Sequence, residues 1–193
     1  MTIILRAQRT LLVSLTPGVY NFSMSLFGGK LIANNQFSDS RGYLKKTFTR
    51  KEIDFHFELA ENFVSSSGQG VVRGIHLQVD PNSGWKLVSV LSGAIFDVLV
   101  DLRPNSVSFG NIETMILSAD SPQTLIIPPG IGHGFQALEA AVLHYSTSYD
   151  YDGVSDIGVN INSLNIVWPL PITEISDRDL KLPSLRSWQD SAK

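Results

Sequence analysis

The chain has no cysteine in its 193 residues. Disulfide scaffolds, thiolate zinc sites and cysteine nucleophiles are therefore excluded. Nor does it contain an apolar run approaching the ~20 residues needed to span a bilayer. No cluster of Lys and Arg stands out, and the formal net charge is −3, so general affinity for nucleic acid is not expected. Gly-x-Ser-x-Gly is absent, and with it the nucleophile elbow of a serine hydrolase. Glycine-rich phosphate loops of the P-loop or dinucleotide type are missing as well. The segment Leu11 to Val13, after Arg6 and Arg9, is too short and too soon broken by Ser14, Thr16 and Pro17 to be a signal h-region, which wants ~7–15 apolar residues. It reads as an extension, and the expected location is the cytoplasm.

What remains is a chain of ordinary size and composition, long enough for one domain with a real core. Short β-rich segments recur along it: Lys30–Ala33, Gly42–Thr49, Phe63–Ser67, Val71–Leu77, Lys86–Ser92, Ala94–Arg103, Gly110–Leu117, Gln123–Ile127, Gly134–Ala137 and Ala141–Tyr149. Turn residues separate them, as in Asp80-Pro81-Asn82-Ser83-Gly84 and Arg103-Pro104-Asn105-Ser106. Many short strands at regular spacing predict an all-β sandwich or barrel. Along Ala94–Arg103, alternation puts Phe96, Val98, Val100 and Leu102 on one face. Ile95, Asp97, Leu99, Asp101 and Arg103 fall on the other. One apolar and one mixed face suit a wall between a packed layer and a polar cavity. Helical signal is weak. Ile53 and Phe57, four apart, suggest a helix within Arg50 to Asn62, and short helices are expected after Trp168.

Four histidines are present. His56, in a polar stretch, reads as an exposed residue with no task. His144 and Tyr145 are neighbours on a strand, so only one of them can face a cavity. His76 and His133 have stronger claims, because each sits in a glycine-containing segment beside Arg73 or Pro residues. Together they make too small a ligand set for a tight metal site. A metal-binding cupin pattern would need a second His and a Glu close by, whereas His76 is followed by Leu77-Gln78. Arg41 and Arg73 carry the planar fork suited to phosphate.

In order along the chain stand Asp39-Ser40-Arg41-Gly42, Val72-Arg73-Gly74-Ile75-His76-Leu77-Gln78, Gly84-Trp85-Lys86-Leu87-Val88, Phe96-Asp97-Val98-Leu99-Val100-Asp101-Leu102-Arg103, Ser106-Val107-Ser108-Phe109-Gly110 and Ile127-Pro128-Pro129-Gly130-Ile131-Gly132-His133-Gly134-Phe135. Tyr145, Trp168-Pro169 and Ser176-Asp177-Arg178-Asp179 follow. Joined in this order, they resemble the dTDP-4-dehydrorhamnose 3,5-epimerase family of nucleotide-sugar epimerases. The likeness runs from about Gly28 to Leu185. It leaves residues 1–27 as an N-terminal extension and 28–193 as a single domain.

The resemblance implies an antiparallel jelly-roll (cupin) barrel. It also implies a homodimer that works without metal or organic cofactor on a nucleotide-diphosphate sugar, in deoxysugar or polysaccharide synthesis. In that pattern His76 is the base, Asp179 orients it, Lys86 lies beside the keto oxygen and Tyr145 lies on the opposite face of the sugar. His133 is a second histidine at the sugar, Arg41 and Arg73 hold the diphosphate, and Asp156 and Arg178 are further polar contacts.

These residue types suit the chemistry. A hydrogen next to a ketone is too weakly acidic for an imidazole of pKa ~6.5 to remove unaided. The oxygen must be stabilised at the same moment, which a lysine in a water-poor pocket can do. A phenol on the far side can return the proton. The chain departs from the family pattern at Gly42-Tyr43-Leu44-Lys45-Lys46, Glu61-Asn62-Phe63-Val64 and Val159-Asn160-Ile161-Asn162. Those departures fall at nucleotide and sugar contacts, which leaves the nucleotide and the choice of C3, C5 or both open. Other readings are a single-centre epimerase, a 3,4-ketoisomerase, a metal cupin and a non-catalytic sugar-binding cupin.

Overall fold

The computed structural model describes residues 10–11 and 26–191. Most of the expected extension, residues 1–27, lies outside the described residues. Two sheets face each other. One holds β1 (Thr10–Leu11), β6 (Val72–Gln78), β8 (Ala94–Asp101), β9 (Ile112–Ser118), β11 (Ile131–Ala137) and β13 (Asp156–Gly158), in the order β1-β9-β8-β11-β6-β13. The other holds β2 (Lys30–Ala33), β5 (Glu61–Ser67), β7 (Lys86–Ser92), β10 (Gln123–Ile127) and β12 (Ala141–Thr147), in the order β2-β10-β7-β12-β5. A separate hairpin pairs β3 (Gln36–Asp39) with β4 (Gly42–Lys45). Apart from β1 on β9, every ladder is antiparallel. This is the expected all-β jelly roll. Among the described residues no helix is long and apolar enough to cross a membrane.

Alternation decides where each side chain goes. The inner faces of the two sheets contribute Val88, Val90, Leu125 and Leu143 from one side and Ile95, Leu99, Ile131 and Phe135 from the other. These form the core between the layers. On β8, Phe96, Val98 and Val100 point outward instead, with Leu102 just beyond the strand. A second apolar layer, including Trp168, Leu185 and Trp188, covers them. The face read as mixed is thus the inner one, and it carries Asp97, which has no exposure to solvent.

The helix expected within Arg50 to Asn62 does not form. One 3-10 turn, Arg50–Glu52, is closed by a capping box between Thr49 and Glu52. Ile53, Phe55 and Phe57 then alternate with Asp54, His56 and Glu58. A spacing of four fits both periods, but Phe55 between the two positions fits only an extended chain. The three apolar side chains pack on Leu87, Ile126 and Trp85 on the outer face of the five-stranded sheet. Phe55 stacks on Trp85 with ring centroids 3.6 Å apart. Short helices do follow Trp168: α1 (Asp177–Leu180) and α2 (Leu185–Ser191).

Candidate active site

A cavity of about 540 Å³ opens between the two sheets. Arg73, His76 and His133 line it from the six-stranded sheet. Phe63, Lys86 and Tyr145 line it from the five-stranded sheet. The register explains this grouping. His133 is paired with His76 across the β6–β11 ladder. In the other sheet Tyr145 is paired with both Phe63 and Val88, and Thr147 with both Glu61 and Lys86. Residues opposite each other in a ladder share a face, so each sheet presents a row of functional side chains to the same space.

Arg73 and His76 are three apart, and a regular strand would send them to opposite faces. They both reach the cavity because the ladder slips here. Phe135 pairs with Arg73 and His133 with His76, leaving Gly74 and Ile75 opposite Gly134 alone. This extra residue is a bulge, which re-aims side chains. Gly74 takes φ +109°, and a Cβ on Gly134 would stand 2.7 Å from the Arg73 carbonyl oxygen. The glycines are what allow the two strands to close around the bulge.

His76 shares a 2.8 Å hydrogen bond between Nε2 and Asp179 Oδ1. Asp179 comes from the far end of the chain. The segment before α1 is tied to the start of β6, where the Val72 amide donates to the Glu174 carbonyl. Ser176 caps α1 by accepting from the Asp179 amide at 3.1 Å. The other carboxylate oxygen of Asp179 accepts from the Gly74 amide at 3.1 Å. Burial works against the charge of Asp179, but these bonds and His76 outweigh it and hold the carboxyl below its ordinary pKa. The aspartate therefore fixes one ring nitrogen of His76 and leaves the other to take a proton.

His133 is anchored in the same way by a residue that sequence reasoning did not assign. Its Nε2 lies 2.7 Å from Asp97 Oδ2, and both side chains are buried. The signal was an aspartate between Ile95 and Leu99 on the mixed face of β8. Asp97 Oδ1 is buried and has no hydrogen-bond partner among the described residues.

Lys86 is partly buried and lines the cavity. Burial lowers its pKa, against the pull of Asp156 and Asp97. A lowered lysine gives up a proton to a developing enolate more readily than an ordinary one. Tyr145 is buried, and burial pushes its phenol up to about 12. It stays protonated across the working range and can act as a donor. Its ring stacks on Phe63, centroids 4.6 Å apart and 11° from parallel, and meets His133 edge-on at 6.4 Å.

Of the phosphate candidates, Arg73 lines the cavity, with Nε donating to Ser67 Oγ at 2.9 Å and Nη2 to the Ser66 carbonyl at 3.0 Å. Arg178 and Asp156 both line it, joined by a 2.7 Å ion pair. Arg41 does not line the cavity of its own chain. It lies at the turn of the β3–β4 hairpin, highly exposed and bound to Asp39 at 2.5 Å. His144 points away from the cavity that Tyr145 faces, and His56 is exposed.

The dTDP-4-dehydrorhamnose 3,5-epimerase family model matches residues 23–187. A dTDP-4-dehydrorhamnose 3,5-epimerase of Escherichia coli K12 is 40% identical over 140 residues, covering 69% of this chain and 76% of that protein. The crystal structure of the Bacillus anthracis enzyme of the same name, with TDP and PPi bound, superposes with a TM-score of 0.78 at 34% identity, over 83% of this chain and 96% of that one. NovW, a 4-keto-6-deoxy sugar epimerase of Streptomyces spheroides, gives a TM-score of 0.82 at 32% identity, over 97% and 94%. With the jelly roll, the cavity and a match this long, the chain belongs to the dTDP-4-dehydrorhamnose 3,5-epimerase family and is an isomerase.

Proposed function

We propose that this epimerase inverts carbon next to the keto group of a dTDP-linked 4-keto-6-deoxy sugar, with His76 as base, Lys86 at the keto oxygen and Tyr145 as the returning acid. The observation that carries this reading is the opposition of the two sheets. The His76–Asp179 pair belongs to one wall of the cavity, while Lys86 and Tyr145 belong to the other.

A sugar ring between them meets an imidazole on one side and a phenol on the other. His76 takes the proton α to the ketone, and the electrons of the C–H bond move to the keto oxygen. Lys86 stabilises that oxygen and can supply a proton to it; one such donor is worth ~10²–10³ in rate. Base help from His76 adds ~10²–10⁴. Asp179 stabilises the imidazolium so formed. Tyr145 then delivers a proton to the opposite face of the same carbon, and the configuration inverts. Asp97 holds His133 upright beside the ring, and Arg73 meets the diphosphate. Asp156 and Arg178 supply further polar contacts.

The working unit in this reading is a homodimer. The β3–β4 hairpin leaves Phe37, Tyr43 and Leu44 more than half exposed, an apolar surface that a second copy would cover. Arg41 sits on that hairpin, outside its own chain's cavity, so its contact with a diphosphate requires the assembly.

The test is incubation with dTDP-4-keto-6-deoxyglucose in deuterated water, followed by NMR of the product. Deuterium at C3 or C5 with inverted configuration is expected, and the positions labelled tell single from double inversion. Saturable binding with no deuterium at either carbon would refute the reading.

A further inference from the structure

Beside Lys86 the protein has a second, much smaller hollow. It is lined by Gly84, Ile127, Pro128 and Gly130, among others, and its volume is about 10 Å³, room for about one water. Four residues line both this hollow and the main cavity: Leu77, Gln78, Lys86 and Tyr149. The catalytic reading uses Lys86 and leaves Tyr149 without a task.

Tyr149 is held in place by its surroundings. A Cβ on Gly84 would stand 2.7 Å from Tyr149 Cδ1, so the ring lies directly on the glycine backbone. The adjoining backbone is pinned from both sides. The Ser148 amide donates to the Trp85 carbonyl at 3.0 Å, and the Trp85 amide donates to Ser148 Oγ at 2.8 Å. Thr147 pairs with Lys86, so Tyr145 precedes the lysine's partner by two residues on β12, and Tyr149 follows it by two in the bend just beyond the strand.

We propose that Tyr149 is a positioning residue for Lys86: its ring closes the small hollow off from the substrate cavity and keeps water from the back of the lysine. The proposal deepens the role given to Lys86 above and rests on it. A donor to a developing oxyanion is worth most where water is excluded. The direction of the lysine's pKa agrees, since burial is the largest influence on it. The groups facing Lys86 are Asp97 of β8, Asp156 of β13 with its partner Arg178, Glu61 of β5, Tyr145 of β12, His76 of β6 and His133 of β11. Burial and Asp156 also push the Tyr149 phenol well above its ordinary value, so it is neutral and does not compete with the lysine for charge.

The test is NMR titration of the isotope-labelled lysine side chains in the substrate-free protein, with a Lys86→Met spectrum for assignment. This readout needs no turnover, so it stands even if the proposed sugar is the wrong one. In Tyr149→Ala, Lys86 should titrate at higher pH than in the parent, because water now reaches it. The kcat should fall about tenfold, less than loss of the donor itself, with KM little changed. Tyr149→Phe keeps the ring, and there Lys86 should titrate where the parent's does. Gly84→Ala crowds both the Tyr149 ring and Ser148 Oγ, and by displacing the ring it should move the titration in the same direction as Tyr149→Ala, which covers failure of the first variant to fold. An unmoved Lys86 in both Tyr149→Ala and Gly84→Ala overturns the proposal. So does a Tyr149→Phe variant that shifts Lys86 as far as Tyr149→Ala, since the hydroxyl and not the ring would then be responsible.

Discussion

His76 and His133 are direct partners across one antiparallel ladder, yet each is held by a different aspartate from a different part of the fold. Asp179 reaches His76 from α1, near the end of the chain. Asp97 reaches His133 from β8, inside the core. Two imidazoles thus stand side by side on one wall, each with its orientation fixed, and they invite separate tests.

For the first pair, Asp179→Asn keeps the shape but loses the charge that supports an imidazolium. We expect kcat to fall by about 10²-fold with KM little changed, since general-base help is worth ~10²–10⁴ in all. Steady-state kinetics on the purified variant checks this.

The second pair is buried more deeply. Asp97→Ala leaves the His133 ring nitrogen without its acceptor, and an unsatisfied buried donor costs ~1–3 kcal/mol. Urea unfolding should show a lower midpoint with little change in slope. An unchanged midpoint would mean that water takes over the bond.

Lys86→Met keeps the apolar stem and removes the ammonium. The expected loss is ~10²–10³ in kcat, and deuterium exchange at the carbon should fall in parallel, because the same enolate is needed for both.

A pH prediction concerns the turn after β8. Asp101 accepts from Arg103, Ser106 and Ser108. Burial opposes its charge, but these bonds prevail and lower its carboxyl from 3.8 to about 2. A group with a depressed folded-state pKa stabilises the fold fully above its unfolded value and loses that contribution as pH falls through the folded one. Asp101→Asn should therefore be less stable than the parent near neutral pH. The two should converge between about pH 4 and pH 2, as read from unfolding curves across that window.

Much of this architecture could be read from residue order. Lys86–Ser92 and Gln123–Ile127 appear at their expected bounds because turn residues frame them and each is a short run of mostly apolar residues. The strand Asp156–Gly158 was not expected; three residues in a polar loop carry no periodic signal. Phe55 overturned the helix expected around it. The site divides in the same way. His76, Lys86 and Tyr145 were named from their motifs, and the fold gathers them around one cavity. Strand alternation alone would have separated Arg73 from His76, because a bulge leaves no pattern in sequence beyond its glycines. Asp179 lies 103 positions from its partner, a distance that only a fold or a family likeness can bridge. Asp97 was placed on the correct face but not assigned to His133, since a ladder register cannot be read from one strand.

The most direct test of the central claim is Tyr145→Phe in deuterated water with dTDP-4-keto-6-deoxyglucose, followed by NMR. If His76 and Tyr145 serve opposite faces of the ring, the variant should still exchange the α-hydrogen through His76. The deuterium should return mostly to the face it left, so the sugar is labelled but its configuration is kept. A Tyr145→Phe protein that inverts the carbon as fast as the parent would contradict the account.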